Sequence, residues 1–163
     1  MRTTFHQLSD VAAEDWLALL NNKDVHRHMP LGGQTWTADK AMEWAAGKDA
    51  QWDLNGYGPW AIRIDGAFAG WGGFQKEDED ADFGLVLLPS FWGHGRVLHE
   101  MMIARGFDEL GLESVTILLP PSRKWLRPVE RLGYRPEGEI EYEGHRFLKF
   151  RLMRPVAPIA PAA

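Results

Sequence analysis

The segment from Asp82 to Val97 constrains the fold of this chain more than any other part of its 163 residues. Its first half is an apolar run of strand length, and its second half contains two closely spaced glycines, Gly93 and Gly95. The apolar residues after it recur at three- and four-residue steps, which is typical of a helix that packs on a sheet. Glycines let backbone approach a ligand, and a first helical turn presents free N–H groups. The segment therefore predicts a strand, a tight turn, a helix and a phosphate site at their junction.

The loop sequence 93–97, Gly-His-Gly-Arg-Val, does not fit two common nucleotide-binding loops. A P-loop ends in Gly-Lys-Ser/Thr, because the lysine and the hydroxyl contact phosphate and magnesium. A Rossmann fingerprint needs a third glycine where Leu98 stands, and it needs an all-parallel sheet. The strands before this loop are joined by short turns, as in an antiparallel meander. The spacing alone leaves the ligand of the turn open.

Composition excludes several other classes of protein. A formal net charge of −5 argues against a general nucleic-acid binder, which needs a basic surface. The sequence has no long apolar window for a membrane span, and its first residues lack the apolar core of a signal peptide. Without cysteine there is no disulfide or thiolate zinc site, and His26 and His28 stand without a matching ligand cluster. We therefore predict a cytoplasmic protein that binds no nucleic acid, membrane or metal.

Periodicity and capping signals divide the chain into helices and strands. Ser9 and Asp10 are candidate caps of a first helix, and Thr37 is a candidate cap of a second helix that Gly47 ends. The predicted helices span 11–20, 38–46, 97–110 and 123–132, with a short helical turn from residue 25. The predicted strands span 60–64, 67–74, 82–88, 114–119, 139–143 and 145–153.

Turn residues and connection lengths predict how these strands pair. Asp65-Gly66 and Glu143-Gly144 are hairpin signals, so the first three strands form an antiparallel meander and the last two form a hairpin. The strand over 114–119 follows a helix, and a right-handed crossover places it parallel to the third strand. We predict one domain over residues 1–154 and a disordered Pro/Ala-rich tail over 155–163.

In this order the elements resemble the GNAT N-acetyltransferase fold, and three motifs carry the resemblance. Trp92 to Val97 is similar in spacing to the family loop Arg/Gln-x-x-Gly-x-Gly/Ala. Asp82 to Leu85 resembles the Glu-Ile-Gly-Tyr of the branch that modifies ribosomal proteins, and 129–134 resembles its Leu-Glu-Lys-Leu-Gly-Phe. The resemblance implies an α/β fold of the α+β type. Its sheet is mixed and mostly antiparallel, is flanked by helices, and contains a central strand–glycine loop–helix–parallel strand unit.

The resemblance also implies a cosubstrate, acetyl-CoA, whose pyrophosphate the family holds with backbone amides of this loop. In the family the strand before the loop splays from its parallel neighbour, and the pantetheine arm lies in the gap. The implied cofactor-binding residues are Leu87, Leu88, Trp92, Gly93, His94, Gly95, Arg96, Val97 and Ser122. Among them the amides around Leu87 and Leu88 are the expected donors to the oxyanion, and Ser122 is the expected contact of the pantetheine arm.

Acetyl transfer to an amine needs a base for the ammonium proton and donors for the oxyanion. Asp82 stands where many relatives have Glu and is the first candidate base, acting directly or through a water. Glu79 and Glu77 are the runners-up, although an acidic run of this kind is commonly a solvated turn. Tyr134 is a candidate proton donor to the departing thiolate, or else a packed core aromatic.

The resemblance implies an N-acetyltransferase for a primary amine, either a protein N-terminus or a small molecule. Many relatives are homodimers, so a homodimer is one expectation for this chain. The region from Val25 to Trp44 and the final hairpin are expected to form the acceptor side. Val97, Ser122 and Trp125 depart from the family pattern. They leave two alternatives open: a degenerate domain that binds CoA or a partner without turnover, and an interaction domain without a cofactor.

Overall fold

The computed structural model describes residues 1–27, 34–121 and 126–156, and for 126–128 it describes the backbone only. The strands are β1 Thr3–His6, β2 Pro59–Ile64, β3 Ala67–Glu77, β4 Asp80–Leu87, β5 Ser114–Leu119, β6 Arg135–Tyr142 and β7 His145–Met153. The helices are α1 Ala13–Leu20, α2 Lys23–Arg27, α3 Ala38–Asn55, α4 Gly95–Asp108 and α5 Leu126–Arg131, with 3₁₀ turns at Leu8–Asp10 and Pro89–His94. None of the helices in these ranges is long and apolar enough to cross a membrane.

The sheet has seven strands in the order β1-β2-β3-β4-β5-β7-β6, and all neighbours are antiparallel except β4 and β5. The predicted fold class, the meander, the parallel strand and the closing hairpin are therefore confirmed. Sequence analysis missed β1, because four residues with two threonines show no clear alternation. This segment is a strand because it pairs along the edge of β2, from Thr3 opposite Ile64 to His6 opposite Ala61.

The central strands send apolar side chains to both faces of the sheet. On one face, which we call the α4 face, Phe74 of β3 and Phe83 of β4 pack in a cluster with Met102 of α4. On the opposite face, which we call the α3 face, Trp71 of β3 packs in a second cluster with Trp16 of α1 and with α3. Because side chains alternate, Asp82 of β4 lies on the α3 face.

Strands β4 and β5 meet at one residue pair and then separate. Asp82 lies opposite Thr116, and the described residues add no further pair to this parallel ladder. Strand β4 pairs with β3 along its whole length, from Asp80 to Leu87. A gap therefore opens between the carboxyl-terminal halves of β4 and β5, towards the Pro89–His94 turn. We call the Asp82–Thr116 pair the vertex of this gap.

Several predicted boundaries differ from those of the structure. Helix α3 runs through Gly47 and ends at Gly56, whose φ of 78° forms a left-handed cap. One glycine in a helix costs only about 1 kcal/mol, which the buried face of a long helix offsets. Residues Ser9 and Asp10 form a 3₁₀ turn, and α1 begins after it at Ala13 without a side-chain cap. Strand β3 runs past its predicted end at residue 74 and β4 begins before residue 82, so only a two-residue turn at 78–79 joins them.

Several predictions lie partly or wholly outside the described residues. Ser122, Trp125 and His28 fall in the gaps between the described ranges. The helix predicted from residue 123 is described from Leu126 onwards. Of the predicted tail, the structure describes only residues 155 and 156.

Candidate active site

The carboxyl group of Asp82 lies at the vertex of the gap and has one described hydrogen-bond donor. Thr116 Oγ1 donates to Asp82 Oδ1 at 2.8 Å. Thr116 is only 1% exposed, so this hydroxyl is shielded from bulk solvent. Both side chains lie on the α3 face, because the two strands are in register at this pair.

Two aspartates on β4 have opposite environments. Asp80 accepts hydrogen bonds from Lys149 Nζ at 2.7 Å and from Arg151 at 2.9 Å. Burial would raise the pKa of Asp80, but these two cations hold it below its ordinary value. Asp82 has no cation within ion-pair distance among the described residues, and burial raises its pKa to about 7 despite the hydrogen bond from Thr116. Asp82 can therefore take up and release a proton near neutral pH.

A cleft of about 290 Å³ opens at Asp82 on the α3 face. Its lining combines the β3–β4 turn, β5 and the β6–β7 hairpin: Glu77, Asp78, Asp80, Asp82, Thr116, Leu118, Ile140, Glu141, Tyr142 and Lys149. Five of these side chains are carboxylates and one, Lys149, is a cation, so the lining is predominantly acidic. The final hairpin supplies part of the wall, on the side where the sequence predicted the acceptor.

Of the two runner-up bases, Glu77 lines the cleft with Asp82, and Glu79 does not. Burial raises the pKa of Glu77, against a hydrogen bond with Tyr142 that lowers it. Glu79 is exposed in the β3–β4 turn and is not among the residues that line the cleft. A catalytic role for Glu79 stays a prediction, and its position gives it no contact with Asp82 in the described structure.

The backbone of β4 presents polar groups to the gap at every second residue. Leu88 N–H donates to Ala69 C=O at 2.8 Å, so this amide is already used by β3. Because the N–H groups of a strand alternate between its two neighbours, those of Leu87 and Leu85 point towards β5 and the gap. Of the two expected oxyanion donors, Leu87 thus has the right direction and the Leu88 amide does not. The N–H of Leu85 has the same direction, and sequence analysis did not predict it as a candidate.

The glycine loop has a different shape from the predicted tight turn. Pro89–His94 forms a 3₁₀ turn that runs directly into α4, and Gly95 has right-handed helical angles. A Cβ added at Gly93 or Gly95 would meet no atom of the described residues within 4 Å. The N-terminus of α4 has no side-chain cap. Uncapped amides beside open space fit an anionic group such as a pyrophosphate.

Three side chains of this loop contact residues on either side of it, and a fourth is exposed. Trp92 Nε1 donates to Leu87 C=O at 2.9 Å, which ties the loop to the end of β4. Arg96 is held by Glu100 at 3.3 Å on the exposed surface of α4. Val97 is 45% exposed, and the ring of His94 lies against Phe91.

Tyr134 lies on the α4 face of the sheet, opposite the cleft. It is 2% exposed, and its hydroxyl is hydrogen-bonded to His99 Nε2 of α4 at 2.8 Å. Burial raises the pKa of Tyr134, and the negative charge of Asp82 adds to the effect. Tyr134 is therefore a core residue, and it lies close enough to Asp82 for the carboxylate charge to raise its pKa.

Sequence analysis missed Thr116 and His99 for different reasons. Thr116 is a β-branched residue in a predicted strand, and only the register of β5 against β4 brings it to Asp82. His99 sits among apolar positions of α4, where a histidine at a core-facing position is itself a weak signal. No group of three or more acidic or histidine side chains in the described part of the chain could hold a metal ion.

Comparison with known proteins identifies relatives of this architecture. The acetyltransferase (GNAT) domain model, Acetyltransf_3, matches residues 2–133. A GnaT-family acetyltransferase from Bordetella pertussis is 20% identical with a TM-score of 0.71, and the match covers 92% of this chain and 94% of that one.

Two further solved structures share the fold. Microcin C7 self immunity acetyltransferase MccE, in complex with acetyl-CoA and AMP, is 16% identical over 93% of this chain and 92% of its own, with a TM-score of 0.72. A ribosomal-protein-serine acetyltransferase from Vibrio cholerae is 15% identical over 94% of both chains, with a TM-score of 0.69. At such identities the likeness concerns the fold.

Proposed function

The chain belongs to the acetyltransferase (GNAT) domain family, and from that premise we propose that it moves an acetyl group from acetyl-CoA to a primary amine. The acceptor is a protein N-terminus or a small amine, and the transfer is direct. The observation that carries this proposal is the Asp82 carboxyl at the vertex. There an acidic cleft on the α3 face meets the gap between β4 and β5.

Acetyl-CoA fits the gap and the loop beyond it. Its pyrophosphate would lie at the open N-terminus of α4, beside Gly93 and Gly95. The pantetheine amides would pair with the free edge of β4, as a short extra strand does. This orientation brings the thioester to the vertex, next to Asp82.

The residues around the vertex suit each step of the transfer. The Asp82 carboxylate takes a proton from the ammonium group, directly or through a water. The neutral nitrogen attacks the thioester carbon, and the N–H groups of Leu85 and Leu87 stabilise the oxyanion. The C–S bond then breaks, the nitrogen gives up its second proton, and the thiolate takes one up. Ammonium and acetyl-CoA thus become amide, CoA thiol and one released proton.

The pKa of Asp82 matches this role. A base works best when its pKa lies near the working pH, because it is then both ionised and basic enough. An ordinary aspartate would be ionised but a poor proton acceptor. The carboxylates around Asp82 attract the acceptor as a cation before it loses its proton.

Two measurements test the proposal. Thermal unfolding with acetyl-CoA reports binding, since a ligand at one hundred times its Kd stabilises the native state by about 2.7 kcal/mol. Release of free thiol over a panel of N-terminal peptides and small amines reports turnover. We expect a raised melting temperature and acceptor-dependent thiol release. No shift with millimolar acetyl-CoA would contradict the proposal.

The panel also separates the acceptor classes and the alternative function. The neighbour from Vibrio cholerae is assigned as a ribosomal-protein-serine acetyltransferase, and this assignment supports including peptides with an N-terminal serine. Stabilisation by acetyl-CoA without thiol release from any amine would favour a domain that binds CoA without turnover. The exposed Val97 beside the loop motivates that alternative.

A further inference from the structure

An open space without side chains lies beside Asp82 on the α3 face of the sheet. Gly84 is two residues from Asp82 on β4, so both point to this face, and the residue opposite Gly84 on β3 is also a glycine, Gly73. An added Cβ at Gly84 would find no described atom within 4 Å. We call the space over Gly84 the glycine recess. It has room for a ligand group next to the carboxyl of Asp82.

The side chain of Gln75 stands beside Asp82 and has a fixed orientation. The two residues are cross-strand partners, and such partners have Cβ atoms about 4.5–5.5 Å apart, so both can contact one small ligand. Lys48 Nζ of α3 donates a hydrogen bond to Gln75 Oε1. Because an ammonium group can only donate, the amide oxygen must face Lys48 and the NH₂ group must face away from it. Gln75 Nε2 has no hydrogen bond among the described residues.

Two indole rings hold the ammonium group of Lys48 in this place. Its Nζ lies 5.5 Å from the ring centroid of Trp71 and 5.9 Å from that of Trp44. Burial lowers the pKa of Lys48, and the negative charges of Glu77 and Glu143 oppose this shift. The ammonium is thus fixed between α3 and the sheet, and it fixes the amide that it binds.

A second unused donor borders the glycine recess. Trp71 precedes Gly73 by two residues on β3 and lies on the same face. Its side chain is 7% exposed, and its Nε1–H has no hydrogen bond among the described residues. A buried donor without an acceptor costs free energy, so this edge of the recess favours a ligand oxygen. The recess therefore combines a carboxyl group, which suits an amine, with N–H donors, which suit a carbonyl.

We propose, on the basis of the proposed function, that Gln75 determines which acceptor is used: its Nε2–H donates to a carbonyl oxygen of the acceptor whose amine lies at Asp82. In an α-amino carbonyl compound this oxygen and the nitrogen are about 3 Å apart by standard bond lengths, which suits two neighbouring cross-strand side chains. Lys48 is a positioning residue, because it acts through the amide of Gln75. The acceptor is thus a peptide N-terminus or a free amino acid, and a simple alkylamine is a poor substrate.

Acceptor selectivity tests this proposal with alaninamide, alanine and isopropylamine. Alaninamide carries a neutral carbonyl as a peptide N-terminus does, alanine carries a carboxylate, and isopropylamine has neither. In Gln75→Met, which keeps an unbranched side chain, KM for alaninamide should rise about tenfold with kcat unchanged, because the hydrogen bond is made equally in the ground and transition states. The values for isopropylamine should stay at those of the wild type. Turnover of either carbonyl compound supports the proposal, and the larger wild-type kcat/KM separates a peptide N-terminus from a free amino acid.

Lys48→Met tests the positioning role. Without the ammonium group the amide of Gln75 can rotate, so KM for alaninamide should rise while the values for isopropylamine stay the same. The double variant with Gln75→Met should be no worse than Gln75→Met alone, since both changes remove the same interaction. A merely structural role of Lys48 would lower the rates with all three amines alike, and that result would contradict the positioning role.

Gln7→Met is the matched control, because Gln7 is exposed and follows the edge strand β1. It should leave the constants for all three amines unchanged. An unchanged KM for alaninamide in Gln75→Met, or equal losses with alaninamide and isopropylamine, would overturn the proposal while the acetyltransferase function stands. Wild-type turnover confined to amines without an α-carbonyl would overturn it too. A wild-type protein that acetylates no amine of any class would instead refute the proposed function, and this inference with it.

Discussion

Two aspartates on one strand show how environment assigns a chemical role. Asp80 and Asp82 are two residues apart and point to the same face of β4. Lys149 and Arg151 bind Asp80, which leaves Asp82 with a neutral donor, Thr116. Their pKa values are therefore driven apart, one below the ordinary value and the other up to about 7. Such a divergence is how proteins separate structural carboxylates from those that move protons.

Thr116→Val tests the hydrogen bond that holds Asp82. The hydroxyl stabilises the ionised carboxylate, so its loss should raise the pKa of Asp82 above about 7. When kcat/KM for the amine is plotted against pH, the acid limb should move to higher pH. At alkaline pH the variant should reach the wild-type rate. Thr3→Val is a suitable control, because Thr3 Oγ1 is buried and has no partner among the described residues. An unmoved acid limb would contradict the assignment of Asp82 as the base.

The sequence alone predicts Asp82 as a candidate base, but it does not predict the interactions that set the pKa of Asp82. Asp82 was predicted because it stands where many relatives have Glu, at the start of the strand that leads into the glycine loop. Thr116 lies 34 positions further along the chain, and the parallel register that joins them depends on how α4 returns the chain. Glu79 was a reasonable runner-up, yet strand alternation and the turn at 78–79 place Glu77 in the cleft instead.

At the scale of elements, the close approach of β3 to β4 sets the position of the gap. Gly70 of β3 has a φ of 149°, and a Cβ there would stand 2.0 Å from Val86 C=O of β4. Only glycine permits this conformation and this distance. The pairing of Gly70 with Leu87 in turn directs the N–H of Leu87 away from β3.

Two glycine variants should have opposite effects on stability. Gly70→Ala should lower the free energy of unfolding by about 3 kcal/mol, because backbone strain and a clash with Val86 add together. Gly47→Ala should raise it by up to about 1 kcal/mol, since Gly47 lies within α3 with open space around it. Urea unfolding measures both. Equal effects of the two variants would contradict the register described for β3 and β4.

Local signals predicted some boundaries of the elements and failed at others. Thr37 was predicted as a cap, and its hydroxyl accepts a hydrogen bond from Lys40 N–H at 3.3 Å. Gly47 failed as a helix end, because the chain continues with helix-forming residues to Gly56. Strand β1 could not be predicted, since its stability comes from pairing with a strand more than 50 residues away.

At the scale of the molecule, the sheet brings three distant segments to one point. The β3–β4 turn and the β6–β7 hairpin enclose the cleft, and the chain between them supplies the gap and the loop. The sequence predicted the mixed sheet and the order of its central unit. It could not predict which β4 amides face the gap, because that depends on which of them donate to β3. The hydrogen bond from Leu88 N–H to Ala69 C=O shows which set is used by β3.

Truncation tests the predicted domain boundary. Strand β7 ends at Met153, and Arg154 N–H donates to Glu113 C=O at 2.9 Å. A chain of residues 1–156 should therefore keep the melting temperature of the full chain. A chain that ends at residue 149 loses Phe150, which is 1% exposed, and should not unfold cooperatively. A melting temperature several degrees lower for 1–156 would contradict the boundary.

The pH dependence of acetyl transfer in wild type and Asp82→Asn tests the central claim most directly. We expect the wild-type kcat/KM for the amine to rise through pH 7 as Asp82 ionises. Asp82→Asn should lower it about 100-fold and abolish that limb, since a general base contributes at least this factor. Its melting temperature at pH 8 should not fall, because the variant removes a half-buried charge. A variant with the wild-type rate and the wild-type limb would contradict the account.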